Sequence, residues 1–110
     1  MAEPTLQEVF GAGATQTATT ITILKADLPG LTAAADNRAE QLWVGIFLKA
    51  MAKLTQASQD ANPEQNIVIR VPDFGAVSIE TRNNVAYRQN VFEAVLQKLD
   101  TQAAIDPDDY

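Results

Sequence analysis

No cysteine and no histidine occur among the 110 residues. The first absence excludes disulfides, zinc–thiolate sites and thiol catalysis. The second removes the commonest general base and the commonest metal ligand. Together they argue against an enzyme and give no reason to expect a metal or a cofactor. Positive charge is scarce: eight Lys and Arg stand against fourteen Asp and Glu, a formal charge of −6. Without a basic run there is nothing to neutralise phosphates, the term that supplies most non-specific nucleic-acid affinity, so a nucleic-acid partner is not expected. Apolar runs of the about 20 residues that a bilayer span needs are missing too, and with them a membrane partner. Glu3 stands where a secretory segment would be basic, and the expectation is a cytoplasmic protein.

What is present suffices for one core. Hydrophobic residues make up 46% of a chain of ordinary single-domain length. The order of signals divides it into an N-terminal arm with a short helix (1–17), a single α+β domain (18–105) and an acidic tail (106–110) expected to be disordered.

Three tetrapeptides have capping-box form: Thr5 with Glu8, Asn37 with Glu40, and Asn90 with Glu93. In each the cap side chain can take the N3 amide while the glutamate reaches back, so each predicts a helix start. The first helix is short and stops at Gly11. Residues 11–15 (GAGAT) imitate a phosphate loop only superficially, since they follow a helix and lack the Gly-Lys-Ser/Thr ending; they read as a flexible connector. Residues 18–27 are dense in β-branched side chains and read as a strand. A long helix is expected over 38–58, then a mobile polar loop over 59–65. Residues 66–71 and 77–81 alternate as strands around a tight Pro72–Gly75 turn. Asn83-Asn84 supplies a two-residue hairpin turn into a possible fourth strand, 85–89. A helix from Val91 to about Asp100 closes the domain, with Phe92, Val95 and Leu99 on one face. The expected architecture is a two-layer α+β fold: a small mixed or antiparallel sheet of three or four strands, packed by the long helix and a C-terminal helix.

The long helix carries more apolar surface than one core uses. On a helical wheel Gln41, Gly45, Lys49, Ala52 and Lys53 form a narrow polar strip. Ala39, Trp43, Ile46, Phe47, Ala50 and Leu54 lie opposite and read as core. Val44 and Leu48, with Met51 beside them, widen the apolar arc to roughly 200°, where a helix on one layer needs a little over ~100°. That flank is claimed either by the chain's own C-terminal helix or by a partner. Val44, Leu48 and Met51 are therefore candidate interface residues, and Phe74, an aromatic in a turn, is a fourth.

Asp73-Phe74-Gly75 copies a kinase tripeptide without the rest of that machinery. Asp106, Asp108 and Asp109 lack the spacing, glycine and closing glutamate of a calcium loop. Asp27, Asp36, Asp73, Glu80 and Tyr87, with Arg70, Arg82 or Arg88, could serve carboxylate catalysis only if the fold brought them together. No resemblance to a known family emerges from these residues. The expectation is a non-enzymatic structural or adaptor module, working by self-association or by docking another protein. An accessory part of a larger assembly, virion-like ones included, is one such setting. A small-molecule-binding domain with a pocket between helix and sheet is the alternative, and a carboxylate-dependent enzyme the third reading.

Overall fold

The computed structural model describes residues 3–73, 75, 77–98 and 105–110. It is a mixed α+β fold whose small core is formed by Ala14, Leu28, Leu54, Val68 and Ile69.

Helix α1 (Leu6–Phe10) starts as its capping box dictates: the Glu8 amide donates to Thr5 Oγ1 at 3.1 Å, and the Thr5 amide to Glu8 Oε1 at 2.9 Å. Gly11 ends it at φ 119°, and the following segment is packed where a flexible connector was expected. A Cβ on Gly11 would stand 2.5 Å from the Cβ of Asp27, and the Gly13 amide donates to Asp27 Oδ2 at 2.8 Å. A carboxylate of the chain's own thus holds the amide that a phosphate loop would offer to its ligand. The strand expected over 18–27 shrinks to a two-residue rung, β2 (Ile21–Thr22) on β1 (Thr15–Gln16), followed by a 3-10 turn at Lys25–Asp27.

The long helix divides in two, α2 (Ala39–Lys53) and α3 (Gln56–Ala61). The break has identifiable donors and acceptors. The Leu54 carbonyl accepts the Ile69 amide at 2.8 Å, and the Thr55 carbonyl accepts Gln65 Nε2 at 3.1 Å. Thr55 Oγ1 then caps α3 by accepting from the Ser58 amide. Helical hydrogen bonding is thus exchanged for tertiary bonds that draw Leu54 into the core. Residues 59–65, expected as a mobile loop, begin as helix and end at the buried Gln65; Gln59 Nε2 bonds the Gln65 carbonyl and Gln97 Oε1. Asn37 does not cap α2. Its Oδ1 accepts from the Ala34 amide, and the capping residue is Arg38, whose amide donates to Gln41 Oε1.

Gly45 corrects the helical wheel. Placed there on the polar strip, it is the one buried residue of α2, and a Cβ on it would stand 3.1 Å from Leu28 Cβ. The helix meets the body through its smallest side chain, which rotates Trp43 outward. Trp43 is 64% exposed, touches Phe47 at 6.3 Å between ring centroids, and is not a core residue. Phe47 in turn packs on Phe92 at 5.5 Å. An ion pair of 3.0 Å between Lys53 and Glu8 ties α2 to α1.

The C-terminal half is a two-stranded ribbon and not a meander on one sheet. β3 (Ile67–Arg70) pairs antiparallel with β6 (Glu93–Leu96), and β4 (Val77–Arg82) pairs with β5 (Val85–Asn90). With the β1–β2 rung these make three separate two-stranded ladders. Six residues join β3 to β4 but only two, Val91 and Phe92, join β5 to β6. The surplus is taken up by a turn in which the Gly75 amide donates to the Pro72 carbonyl at 3.0 Å, with Gly75 at φ 101°. Proline and glycine make that turn as expected, but it offsets one strand of the ribbon and does not pair β3 with β4.

The helix expected from Val91 is therefore a strand up to Leu96, and the Asn90–Glu93 pair caps nothing. The Val91, Phe92, Val95, Leu96 pattern suits helix or strand; the need of β3 for a ladder partner decides it. Leu99 and Asp100 lie outside the described residues. The tail, expected to be disordered, carries a 3-10 turn at Pro107–Asp109 begun by Asp106 Oδ1, which accepts the Asp108 amide. No helix among the described residues is long and apolar enough to cross a membrane.

Candidate functional site

Asn83 and Asn84 take φ angles of 51° and 63°, the left-handed pair that a two-residue hairpin turn requires. Asparagine tolerates this region better than other non-glycine residues, so the turn is written locally. The strands that it joins are exposed at every residue. Val77, Ile79, Val85 and Tyr87 are all among the exposed large hydrophobics, and Ile79 at 66% is barely covered. Sequence alternation places these four inward together; the register does not. Ile79 stands opposite Arg88 and Tyr87 opposite Glu80. One face of the hairpin therefore carries Val77, Ile79, Thr81, Ala86 and Arg88, and the other Ser78, Glu80, Arg82, Val85 and Tyr87. On the second face the Arg82 guanidinium lies 4.1 Å from the centre of the Tyr87 ring.

The second surface is the α2 flank. Val44 is 52% exposed, and Leu48 and Met51 are half-buried. Val44, Gly45 and Leu48 form one wall of an open groove of about 460 Å³ whose other wall is Pro29–Thr32, with Arg38, Glu40 and Gln41 also lining it. Met51 is not among its lining residues. Phe74 lies outside the described residues. A smaller cavity of about 310 Å³ opens between α1 and the start of β3, lined by Val9, Phe10, Leu54, Gln65, Ile67 and Tyr110, with Glu3, Pro4, Glu64 and Asn66 beside them. Gln65 is 1% exposed; its Nε2 donates to the carbonyls of Thr55 and Ile67, while its Oε1 is buried with no hydrogen-bond partner.

The fold does not bring Asp27, Asp36, Asp73, Glu80 and Tyr87 together in either of these cavities. Asp27 holds the Gly13 amide, Asp36 is an exposed loop residue, Asp73 sits in the ribbon's turn, and Glu80 and Tyr87 are on the exposed hairpin. None of them lines either cavity. Arg70 is paired with Glu93 across β3–β6 at 3.0 Å, and Arg82 lies over Tyr87. Among the described residues no three acidic groups converge as a metal site would require. The Glu8 carboxyl is held below its ordinary pKa, chiefly by the Thr5 amide and then by Lys53.

Sequence reasoning missed the outward turn of Trp43 and the close approach at Gly45. An isolated glycine inside a helical run is itself a signal of close packing and could have reoriented the wheel. It also missed which strands pair, for which no local signal exists. No family model, curated protein or solved structure matches the chain.

Proposed function

We propose that the chain is a non-enzymatic structural module that works by binding copies of itself. The observation that carries this reading is surplus surface. The chain exposes 8167 Å², where a compact folded monomer of its mass exposes about 6,000 Å². Its radius of gyration is 16.3 Å, against about 13 Å for a compact domain of this length. The excess, about 2,200 Å² per chain, is more than the ~800 Å² that each partner contributes to a standard interface, so it leaves area for one such contact or more. It is concentrated on features that a solitary domain does not need: a hairpin with branched and aromatic side chains on both faces, and the Trp43–Val44 side of α2. Val44, Leu48 and Met51 are the helix's contribution to such contacts.

Sedimentation equilibrium at rising concentration tests the reading. Self-association in the micromolar range is expected, and Val44→Glu should weaken it without altering the circular dichroism spectrum. A clean monomer at millimolar concentration would overturn it.

Small-molecule binding is the second reading, favoured by one observation: the buried Gln65 Oε1 is an unused acceptor beside the cavity between α1 and β3. A ligand there raises the melting temperature by mass action. A metabolite screen in which nothing shifts the melting temperature of the wild type would remove this reading.

A further inference from the structure

We propose that two copies of the chain join edge to edge through β4, in a register centred on Ile79, to make a four-stranded antiparallel sheet. The proposal rests on the self-association reading and adds a strand-edge contact to the α2 flank named there.

A two-residue loop leaves no choice about which main-chain groups face outward. Arg82 and Val85 flank Asn83-Asn84 and are ladder partners. They must exchange both of their hydrogen bonds, because the alternative phase would require a bond between the adjacent residues 83 and 84. Hydrogen-bonded and non-hydrogen-bonded pairs then alternate down the ladder. Ser78, Glu80 and Arg82 therefore point their amides and carbonyls toward β5, whereas Val77, Ile79 and Thr81 point theirs away. Among the described residues no second strand takes those outward groups.

Such an edge is a template for another strand, and proteins usually blunt it with lysine, proline or a covering element. β4 reads Val-Ser-Ile-Glu-Thr-Arg, without lysine or proline, and is exposed throughout. A two-stranded hairpin alone is marginally stable in water, and three or more strands are needed for independent stability. Pairing with a second copy supplies them.

The outward groups also choose the register. They belong to odd-numbered residues, so in a two-fold antiparallel pair an odd residue must face an odd one. Only centres on Ile79 or on Glu80 satisfy this while using most of the strand. A centre on Glu80 sets two carboxylates opposite each other, which is destabilising. A centre on Ile79 sets Ile79 against Ile79 of the second copy, Val77 against its Thr81, and Ser78 against its Glu80, where the hydroxyl can donate to the carboxylate. Pairing through β5 would set Arg88 against Arg88, which is destabilising, or Tyr87 against Tyr87, the competing register that Tyr87→Cys reads out below.

The chain has no cysteine, so single cysteines read the register directly. Ile79→Cys, Glu80→Cys and Tyr87→Cys are each incubated with oxidised glutathione, and the covalent dimer is followed on non-reducing gels. In the proposed register the Ile79 Cα atoms lie about 5.5 Å apart, within disulfide range. Ile79→Cys is expected to cross-link at least about tenfold faster than the other two. Thr81→Pro, which deletes an outward amide only, is expected to raise the dissociation constant about tenfold or more while the hairpin's own amide resonances persist. If the wild type sediments as a monomer throughout, both this proposal and the reading beneath it fall. If the wild type associates but Ile79→Cys has no lead over Glu80→Cys and Tyr87→Cys, the β4 interface is wrong and the self-association reading stands.

Discussion

Trp43 shows how far a single side chain can depart from its pattern. Its place on the wheel predicts a core residue whose truncation costs about 3–5 kcal/mol. Exposed at 64%, it should lose about 1–2 kcal/mol on Trp43→Ala, because only about a third of its area is buried. Leu54, 8% exposed in the core, should lose about 2–5 kcal/mol on Leu54→Ala. Urea titrations of the two variants check the order, and the reverse order would return Trp43 to the core. Glu8 gives a pH dependence of definite sign. Its folded-state pKa lies below the ordinary 4.5, so its contribution is complete above that value and is lost as pH falls through the lowered one. Wild type should therefore melt above Glu8→Gln at pH 7, and the gap should close as pH is taken to about 3 in a series of thermal scans.

At the scale of elements, the break between α2 and α3 is the feature with the clearest chemistry. Gln65 Nε2 serves the carbonyls of Thr55 and Ile67 at 3.1 and 2.8 Å from a buried side chain. Gln65→Met keeps the volume but removes the donor to the Ile67 carbonyl and one of the two donors to the Thr55 carbonyl, which also accepts the Gln59 amide, and should cost about 1–3 kcal/mol. Gln65→Glu adds a buried carboxylate that cannot donate to either carbonyl when ionised, and should cost more, about 3–5 kcal/mol at pH 7. Because protonation restores one donor, Gln65→Glu should recover stability as pH is lowered, and Gln65→Met should not. Denaturant titrations at two pH values separate them. The β4–β5 hairpin, in contrast, is stabilised by its turn and by pairs such as Arg82 on Tyr87, each a small term.

The whole molecule combines surplus apolar surface with a net charge of −6. The association proposed above, by strand pairing and apolar contact, has to work against mutual repulsion of the copies. Salt screens that repulsion, shortening the Debye length from ~30 Å at 0.01 M to ~10 Å at 0.1 M. The dissociation constant should therefore fall several-fold between those salt concentrations. Sedimentation measures it directly. A rise instead would mean that ion pairs, and not the β4 edge, hold the copies together.

What the sequence determined by itself was local. The Thr5–Glu8 box, the positive φ angles of Asn83 and Asn84 and the Pro72–Gly75 turn each rest on interactions spanning a few residues. The candidate surface was legible only in part: the α2 flank was visible as excess apolar width, whereas the hairpin's exposure was not. Tertiary structure alone decided that Leu54 leaves the helix, that Gly45 and not Trp43 meets the body, and that β3 pairs with β6. In each case a backbone group or a packing site could be satisfied in more than one way locally. The choice fell to a residue far along the chain, Ile69 for Leu54, Leu28 for Gly45 and Ala94 for Ile69, and no window of a dozen residues contains both partners.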